Sequence, residues 1–229
     1  MSSERAKKPA PTPAPELARL PPGRHGLSRE FVAANHRDRL IAACAQTVER
    51  LGYADASVAR IIEAAAVSRR TFYEHFSSKE DCFIATYDTV MDNLRDRIVA
   101  AVERAGEWPQ NVPAALAAML NFFASEPALA RLCMVETLAA GPPVSNHHRE
   151  KVAALAPILR AGRIEAQGPD GPPFDTEEAV IAGVVSLITR WVVVDRTDRL
   201  PELLPDAITV ALTPFLGVTD AGRIAAASA

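Results

Sequence analysis

Two short helical segments separated by only two residues constrain the fold of this chain more than any other feature. Ser57 precedes an apolar stripe of about two turns, and Ser68 precedes a second segment with Phe72 and Phe76 one turn apart. Serine is a preferred helix N-cap, because its hydroxyl accepts a free backbone N–H of the first turn. A turn as tight as Ala66–Val67 between two capped helices predicts a helix-turn-helix arrangement.

A longer amphipathic segment precedes this pair, and another follows it. Apolar residues recur with helical spacing over 40–51, and Gly52 stands where a left-handed helix end is expected. Ser77, with Glu80 three residues later, predicts a capping box that opens a fourth helix reaching about residue 105. The first three helices can share one core, formed by Leu40, Cys44, Val48, Ile61, Ile62, Val67, Phe72 and Phe76.

The rest of the chain is also predicted to be helical. Apolar runs with helical period cover 110–124, 127–139, 145–167, 175–196 and 200–216, and prolines lie near their starts or between them. Residues 168–174 read as a loop. The expected fold class is all-α with about nine helices. The expected organisation is a disordered Pro-rich basic arm over 1–27, a helix-turn-helix domain over 28–78, a larger helical domain over 79–217 and a flexible tail over 218–229.

Charge is unevenly distributed along the chain. Residues 19–79 carry ten Lys or Arg against six Asp or Glu, whereas residues 80–229 carry twelve against twenty. A basic segment joined to an acidic body indicates that the first part meets a polyanion and the second does not. A chance fluctuation in solvated charge is the alternative, so this signal supports nucleic-acid binding only together with the motif.

Several other kinds of site find little support in the sequence. The three cysteines are far apart, with no metal-binding spacing, so they are expected to be buried thiols in a reducing compartment. His147 and His148 are adjacent, so on a helix they point about 100° apart and do not chelate a metal. No catalytic motif is visible, so neither an enzyme nor a cofactor is expected. With no apolar leader, the protein is expected to be cytoplasmic.

The second short helix of the pair can be interpreted by its faces. Phe72 and Phe76 set the buried direction, so Arg70, Tyr73 and Glu74 project roughly opposite to them. In a helix-turn-helix motif, the N-terminal residues of the second helix read base edges in the major groove. Arginine can bond two acceptors of a guanine at once, and threonine can reach a base or a phosphate. The segment therefore indicates a DNA-reading surface.

The stretch over 37–88, RDRLIAACAQTVERLGYADASVARIIEAAAVSRRTFYEHFSSKEDCFIATYD, resembles the TetR family of transcriptional regulators. It has that family's GY turn, its capped second helix, its VS-x-x-TFY-x-HF third helix and its SKE opening of the fourth. Ala66 departs from the family's usual turn glycine, at a cost in strain if φ is positive. The resemblance implies a DNA-binding set of Ser57, Ser68, Arg69, Arg70, Thr71, Tyr73, His75 and Lys79, with His75 and Lys79 near phosphates.

Some of these residues have a structural alternative. Tyr73 and His75 could complete the three-helix core, and Lys79 could be an ordinary surface charge of its helix. The arm around Arg24 and His25 could enter the minor groove, although such arms are common without that role.

The resemblance also implies that the second domain binds an effector and forms a homodimer. Candidate pocket residues are Trp108, Met119, Phe122, Phe123, Met134, Leu138, Arg190 and Trp191, each with plain core packing as the alternative. Arg190 interrupts an apolar helix, so it is expected to be buried and paired with Glu177, Asp195 or Glu136, with an acidic ligand as the alternative partner. Candidate dimer residues on the last two helices are Val180, Val184, Leu187, Leu204, Ile208 and Leu212.

The resulting hypothesis is a sequence-specific regulator, a repressor released from a palindromic operator by a small apolar effector. A two-fold dimer would place its two reading helices about 34–36 Å apart or a multiple of that. Two alternatives stay open: a DNA-binding regulator without a small-molecule effector, and an α-helical enzyme or carrier with an incidental helix-turn-helix.

Overall fold

The computed structural model describes residues 29–165 and 175–228, and the regular elements in these ranges are all helical, as predicted. The predicted arm over 1–27 and the loop over 168–174 lie outside the described residues. The α-helices are α1 (Arg29–Asp55), α2 (Val58–Ala65), α3 (Arg69–His75), α4 (Lys79–Ala105), α5 (Asn111–Ser125), α6 (Pro127–Arg131), α7 (Thr137–Ala139), α8 (Pro142–Ala153), α9 (Pro157–Glu165), α10 (Thr176–Val193) and α11 (Leu204–Ala227). A π-helical turn, Leu132–Glu136, joins α6 to α7, and a 3₁₀ helix, Thr197–Leu203, joins α10 to α11.

The first three helices form the predicted three-helix unit around one shared core. Leu40, Cys44, Ile61 and Phe72 are fully buried, and Phe76 is nearly so. Gly52 interrupts α1 with a φ of 74°, a conformation that glycine adopts without strain. The hydroxyls of Ser57 and Ser68 accept backbone N–H bonds from the first turns of α2 and α3, so both predicted N-caps are confirmed.

The turn between α2 and α3 contains an alanine in the left-handed conformation. Ala66 has φ 50° and ψ 47°, a region in which a Cβ crowds the backbone. Arg39 reaches across from α1 and donates to the carbonyls of Ala65 and Ala66. This guanidinium satisfies carbonyls at the end of α2 that have no partner within the helix. The fold therefore tolerates the strain because a neighbouring helix braces the turn.

Replacing Ala66 by glycine should stabilise the protein. Relief of the left-handed alanine is worth about 1–2 kcal/mol, and the extra freedom of glycine in the unfolded chain removes about 0.4–1 kcal/mol of that gain. We expect a net rise of about 0.5 kcal/mol in the free energy of unfolding, measured by urea denaturation. Ala64→Gly is the matched control: it lies in regular helix on the exposed side of α2 and should destabilise by about 1 kcal/mol. A loss of stability in Ala66→Gly would contradict the strain assignment.

The cap of α4 differs from the prediction by one residue. Ser78, not Ser77, is the N-cap, and its hydroxyl accepts the N–H of Asp81 at 3.1 Å. The Asp81 carboxylate in turn accepts the backbone N–H of Ser77 at 2.8 Å. The start of α4 is thus held by Ser78 and Asp81, with Ser77 as the donor to the carboxylate. Adjacent serines and adjacent acids offer two registers that sequence spacing does not separate.

The larger body consists of α4 to α11, with α5 packed against α4, the 3₁₀ helix and α11. Two boundary predictions are corrected. The predicted helix over 145–167 is divided into α8 and α9 at 154–156. The predicted flexible tail is helical as far as Ala227, after an interruption at Gly217 with a φ of 78°. Ala221 and Ala225 bury the inner side of this last segment, an apolar face too small to recognise as a stripe.

Candidate functional site

The exposed end of α3 is built by hydroxyl contacts within its first turn. Ser68 Oγ accepts the N–H of Thr71 at 3.0 Å and lies 2.8 Å from Thr71 Oγ1. The two hydroxyls therefore fix each other and the start of the helix. Phe72 and Phe76 anchor the opposite side in the core, their ring centroids 5.8 Å apart. This arrangement leaves a short, rigid helix whose N-terminal turn faces solvent.

Two arginines at that end are held in different ways. The Arg69 guanidinium lies 5.6 Å from the ring centroid of Tyr73, which is 48% exposed, and donates to the Tyr73 hydroxyl at 3.4 Å. Arg70 forms an ion pair with Glu74 one turn later, at 2.9 Å, and its side chain is 89% exposed. An exposed pair of this kind contributes about 0–1 kcal/mol, so Arg70 can exchange Glu74 for another acceptor at little cost. The contact with the Tyr73 ring restricts the Arg69 side chain before it binds a ligand, whereas Arg70 has only its exposed ion pair.

A second basic group lies beside α3 and was not among the predicted residues. His36 of α1 stands edge-on to His75 with ring centroids 6.4 Å apart, and the Arg37 guanidinium lies 5.6 Å from the ring centroid of Phe76. Partial burial, then the neighbouring His36 and Arg37, lower the pKa of His75 against the opposing effect of Glu74. His75 is half-buried in the structure, and α1 places His36 and Arg37 beside this end of α3. The basic residues of α1 are the sequence feature that could have predicted the position of His36 and Arg37 beside α3.

Lys79 has a use inside the protein that the sequence did not indicate. Its ammonium donates to the carbonyls of Tyr53 and Ala56, both at 3.0 Å, and lies 4.0 Å from the ring centroid of Tyr53. These bonds fasten the start of α4 to the turn between α1 and α2. Two of the three ammonium protons of Lys79 are donated to these carbonyls, which leaves one for another acceptor. A contact between Lys79 and a phosphate stays a prediction.

An apolar cavity of about 60 Å³, open to solvent at its mouth, lies inside the helical body. It is lined only by apolar side chains of the described residues, among them Ile98, Met119, Leu159, Val180, Val184 and Ala211. The lining thus joins α4 and α5 to α9, α10 and α11. Such a cavity favours a ligand that buries hydrocarbon and leaves its polar groups at the mouth.

Most predicted pocket residues lie elsewhere. Met119 lines the cavity, but Trp108, Phe122, Phe123 and Met134 are buried in other parts of the core, and Trp191 is half-buried beneath Arg196. Leu138 is 62% exposed. Aromatic and methionine content marked these residues as apolar, but only the packing of separate helices decides which apolar side chains border an empty volume.

The prediction for Arg190 is wrong. Arg190 is exposed, because Val184, Ile188 and Val192 occupy the buried face of α10 at intervals of four residues and Arg190 falls between them. Glu136, one of its predicted partners, instead lies 3.3 Å from Arg131.

His147 and His148 join α8 to α4. His147 Nε2 lies 2.7 Å from Asp88 Oδ1, which also accepts from Lys151 at 3.0 Å. The Tyr87 hydroxyl lies 2.9 Å from His148 Nδ1. Burial, and then the neighbouring His147, lower the pKa of His148. No group of three or more His, Cys, Asp or Glu side chains in the described ranges is placed to hold a metal ion.

The lowered pKa of His148 predicts acid sensitivity. The unfolded chain binds a proton at this residue more readily than the folded protein does, so stability is complete above the unfolded pKa of about 6.5 and falls as the pH drops below it. Denaturation midpoints measured between about pH 7.5 and pH 5 should decrease toward acid, and His148→Gln should reduce that dependence. Identical pH profiles for the two proteins would contradict the assignment.

Comparisons with known proteins agree with this geometry. Residues 40–86 match the family model of bacterial regulatory proteins, tetR family. The chain is 28% identical over 189 residues to the HTH-type transcriptional regulator EthR of Mycolicibacterium smegmatis, covering 79% of this chain and 84% of that protein. It is similar in structure to the fatty acid degradation regulator FadR of Bacillus halodurans (TM-score 0.67, 21% identity, 80% and 96% of the two chains). FadR of Bacillus subtilis in complex with stearoyl-CoA gives a TM-score of 0.67 at 20% identity, over 79% and 98%.

Proposed function

We propose, from the premise that this chain is a transcriptional regulator of the TetR family, that it is a repressor that leaves a palindromic operator when an apolar effector enters its cavity. One observation carries this proposal. Helix α4 is fastened at Lys79 to the helix-turn-helix unit and lines the cavity at Ile98, so one rigid element touches both sites. A displacement of α4 at the cavity would change the position of α3. The role places the protein with the chromosome, in the cytoplasm.

The proposed reading surface is the first turn of α3. Arg69, stacked on Tyr73, and Arg70, loosely paired with Glu74, are the candidates for base edges. Ser57, Ser68, Thr71 and His75 are candidates for base or phosphate contacts, together with His36 and Arg37.

The proposed effector carries a long hydrocarbon chain. A lining without polar groups can bind the chain but gives a charged headgroup no partner, so the head would stay at the mouth. The complex of Bacillus subtilis FadR with stearoyl-CoA makes that compound the first probe to use. Regulators of this family are generally not enzymes, and we propose no reaction in the cavity.

The proposed dimer uses the outer faces of α10 and α11. Of the residues predicted for the interface, Val180, Val184, Ile208 and Leu212 are buried within one chain, and Leu187 and Leu204 are half-buried. The outer faces instead expose Val193, Val210 and Val218. The stretch Thr197–Ala227 is also long and apolar enough to cross a membrane, a property that core helices of soluble proteins share, and its most apolar window is only 33% buried. Sedimentation equilibrium tests the dimer: a monomer at micromolar concentration would refute it.

Operator binding and release test the whole proposal. Purified protein should retain DNA from upstream of its own gene selectively, with an affinity that falls steeply as salt rises. Stearoyl-CoA should release that DNA. Unselective retention of DNA would refute the proposed sequence-specific operator. Selective retention that acyl-CoA does not change would indicate a regulator that does not respond to this effector class.

Filling the cavity should abolish the response to effector while leaving DNA binding intact. Ala115 lines the cavity and is only 6% exposed, so phenylalanine at this position would project into the empty volume. We expect Ala115→Phe to bind the operator within about twofold of wild type and to weaken stearoyl-CoA release at least about tenfold. Ala118→Phe, a half-buried site on α5 that is not among the lining residues, is the control. Equal release from the Ala115 variant and the wild type would place the effector elsewhere.

A further inference from the structure

A buried carboxylate of the helical body is bonded to the backbone of the helix-turn-helix unit. Glu136 is 6% exposed, and its Oε2 accepts the N–H of Tyr53 at 2.7 Å. Its other oxygen lies 3.3 Å from Nε of Arg131, which is half exposed. The Tyr53 N–H is buried here, so loss of its acceptor would leave a backbone donor unsatisfied. This bond joins residues 83 positions apart in the chain.

The bond exists because α1 is interrupted one residue earlier. Gly52, with its φ of 74°, turns the chain out of the helix, so the N–H of Tyr53 is presented to a side chain instead of to α1. A Cβ at Gly52 would lie 3.5 Å from Glu136 Oε2, so the carboxylate sits against this turn. Lys79 binds the Tyr53 carbonyl from the other side. The turn before α2 is thus held by the body at both its N–H and its C=O.

The segment that supplies Glu136 leads toward the cavity. Glu136 is the last residue of the π-helical turn Leu132–Glu136, an irregular element that is uncommon in proteins and is often found at functional sites. This turn packs against α10 on one side and against α1 on the other. Helix α10 contributes Val180, Ile181 and Val184 to the cavity lining. A packed path therefore runs from the cavity through α10 and the π turn to Tyr53, separate from α4.

We propose that Glu136 is a positioning residue: its carboxylate fixes the turn before α2 and transmits occupancy of the cavity to the helix-turn-helix unit. The inference rests on the proposed effector response, but its structural part does not. Movement of α10 on ligand entry would shift the π turn and lengthen the Glu136–Tyr53 bond. Tyr53 would then keep only its bond from Lys79, and the turn before α2 would change its angle to the body.

Two substitutions separate the hydrogen bond from the charge. Glu136→Gln keeps an oxygen within reach of Tyr53 but removes the charge beside Arg131. Glu136→Asp keeps the charge but withdraws it by one methylene, which exceeds the tolerance of a 2.7 Å bond. Arg131→Gln is the control, because it removes the ion pair and leaves the bond to Tyr53. Circular dichroism establishes that each variant is folded.

The readouts are amide hydrogen exchange at Tyr53, operator affinity without ligand, and operator affinity with stearoyl-CoA. We expect Glu136→Asp to exchange faster at Tyr53, to bind the operator about five- to tenfold more weakly, and to lose most of the further effect of stearoyl-CoA. Glu136→Gln and Arg131→Gln should behave like the wild type in all three.

Two outcomes overturn the proposal. One is wild-type exchange and operator affinity in Glu136→Asp, and the other is equal damage in Glu136→Gln, which would assign the effect to charge or packing. A wild type that does not respond to stearoyl-CoA would refute the proposed effector class instead. The two ligand-free readouts would still decide whether Glu136 positions the unit.

Discussion

Phe72→Ala should lower the free energy of unfolding by about 3–5 kcal/mol, the usual cost of removing a buried aromatic ring. Phe72 is completely buried, and its ring packs against those of Tyr73 and Phe76, with centroids 5.3 and 5.8 Å away. Together with Phe76 it anchors α3 in the shared core, and part of the cost is the cavity that the missing ring would leave. Urea denaturation followed by circular dichroism measures the change, and operator binding should fail with the fold.

Tyr73→Ala is the matched control for this prediction. Tyr73 follows Phe72 on the same helix but is 48% exposed, so its removal should cost only about 0.5–1 kcal/mol. Comparable losses in the two variants would show that α3 does not bury the face that the structure assigns to Phe72.

Arg69→Ala should weaken operator binding about 10- to 100-fold, the range for losing a bidentate contact to a base. The stacked guanidinium is already oriented on the Tyr73 ring, so it loses little side-chain freedom when it binds. Fluorescence anisotropy at one fixed salt concentration gives the affinity, and the comparison with mutated operators shows which base pair has lost its discrimination.

Arg104→Ala is the control for general loss of positive charge. Arg104 is exposed in the last turn of α4, about 37 Å along the helix axis from Lys79. Its removal should leave the affinity within about twofold of wild type. Suppose that Arg69→Ala weakens binding to operator and to random DNA equally, and that the slope of log affinity against log salt concentration falls by about one. Arg69 would then contact a phosphate and would not read bases.

The helix-turn-helix unit could be read from sequence because its determinants are local. Ser57 and Ser68 cap helices that begin directly after them, and Phe72 and Phe76 identify the buried face one turn apart. Each of these signals acts within about four residues, the distance over which helix geometry fixes neighbours. The strain at Ala66 is predictable for the same reason, but the guanidinium of Arg39 that braces this turn comes from 27 residues away.

In the helical body, the contacts between helices could not be predicted from the sequence. Its helices were predicted from periodicity, but the face of each helix that meets another depends on contacts between distant segments. The exposed position of Arg190 follows from the buried series on α10, and the cavity lining combines five helices. Apolar content identified residues fit for a core, and it did not separate the wall of a cavity from solid packing.

The sequence by itself determined the helical class, the exposed first turn of α3 and the anchors beneath it, because caps, spacing and helix faces are properties of neighbouring residues. Only the tertiary structure decided the cavity, the internal use of Lys79 and the bond between Glu136 and Tyr53. Each of these joins groups from segments distant in the chain, and the free energy that places them comes from packing the whole body. Local signals determine where each helix begins and which face is apolar, and burial of those faces determines which helices pack together.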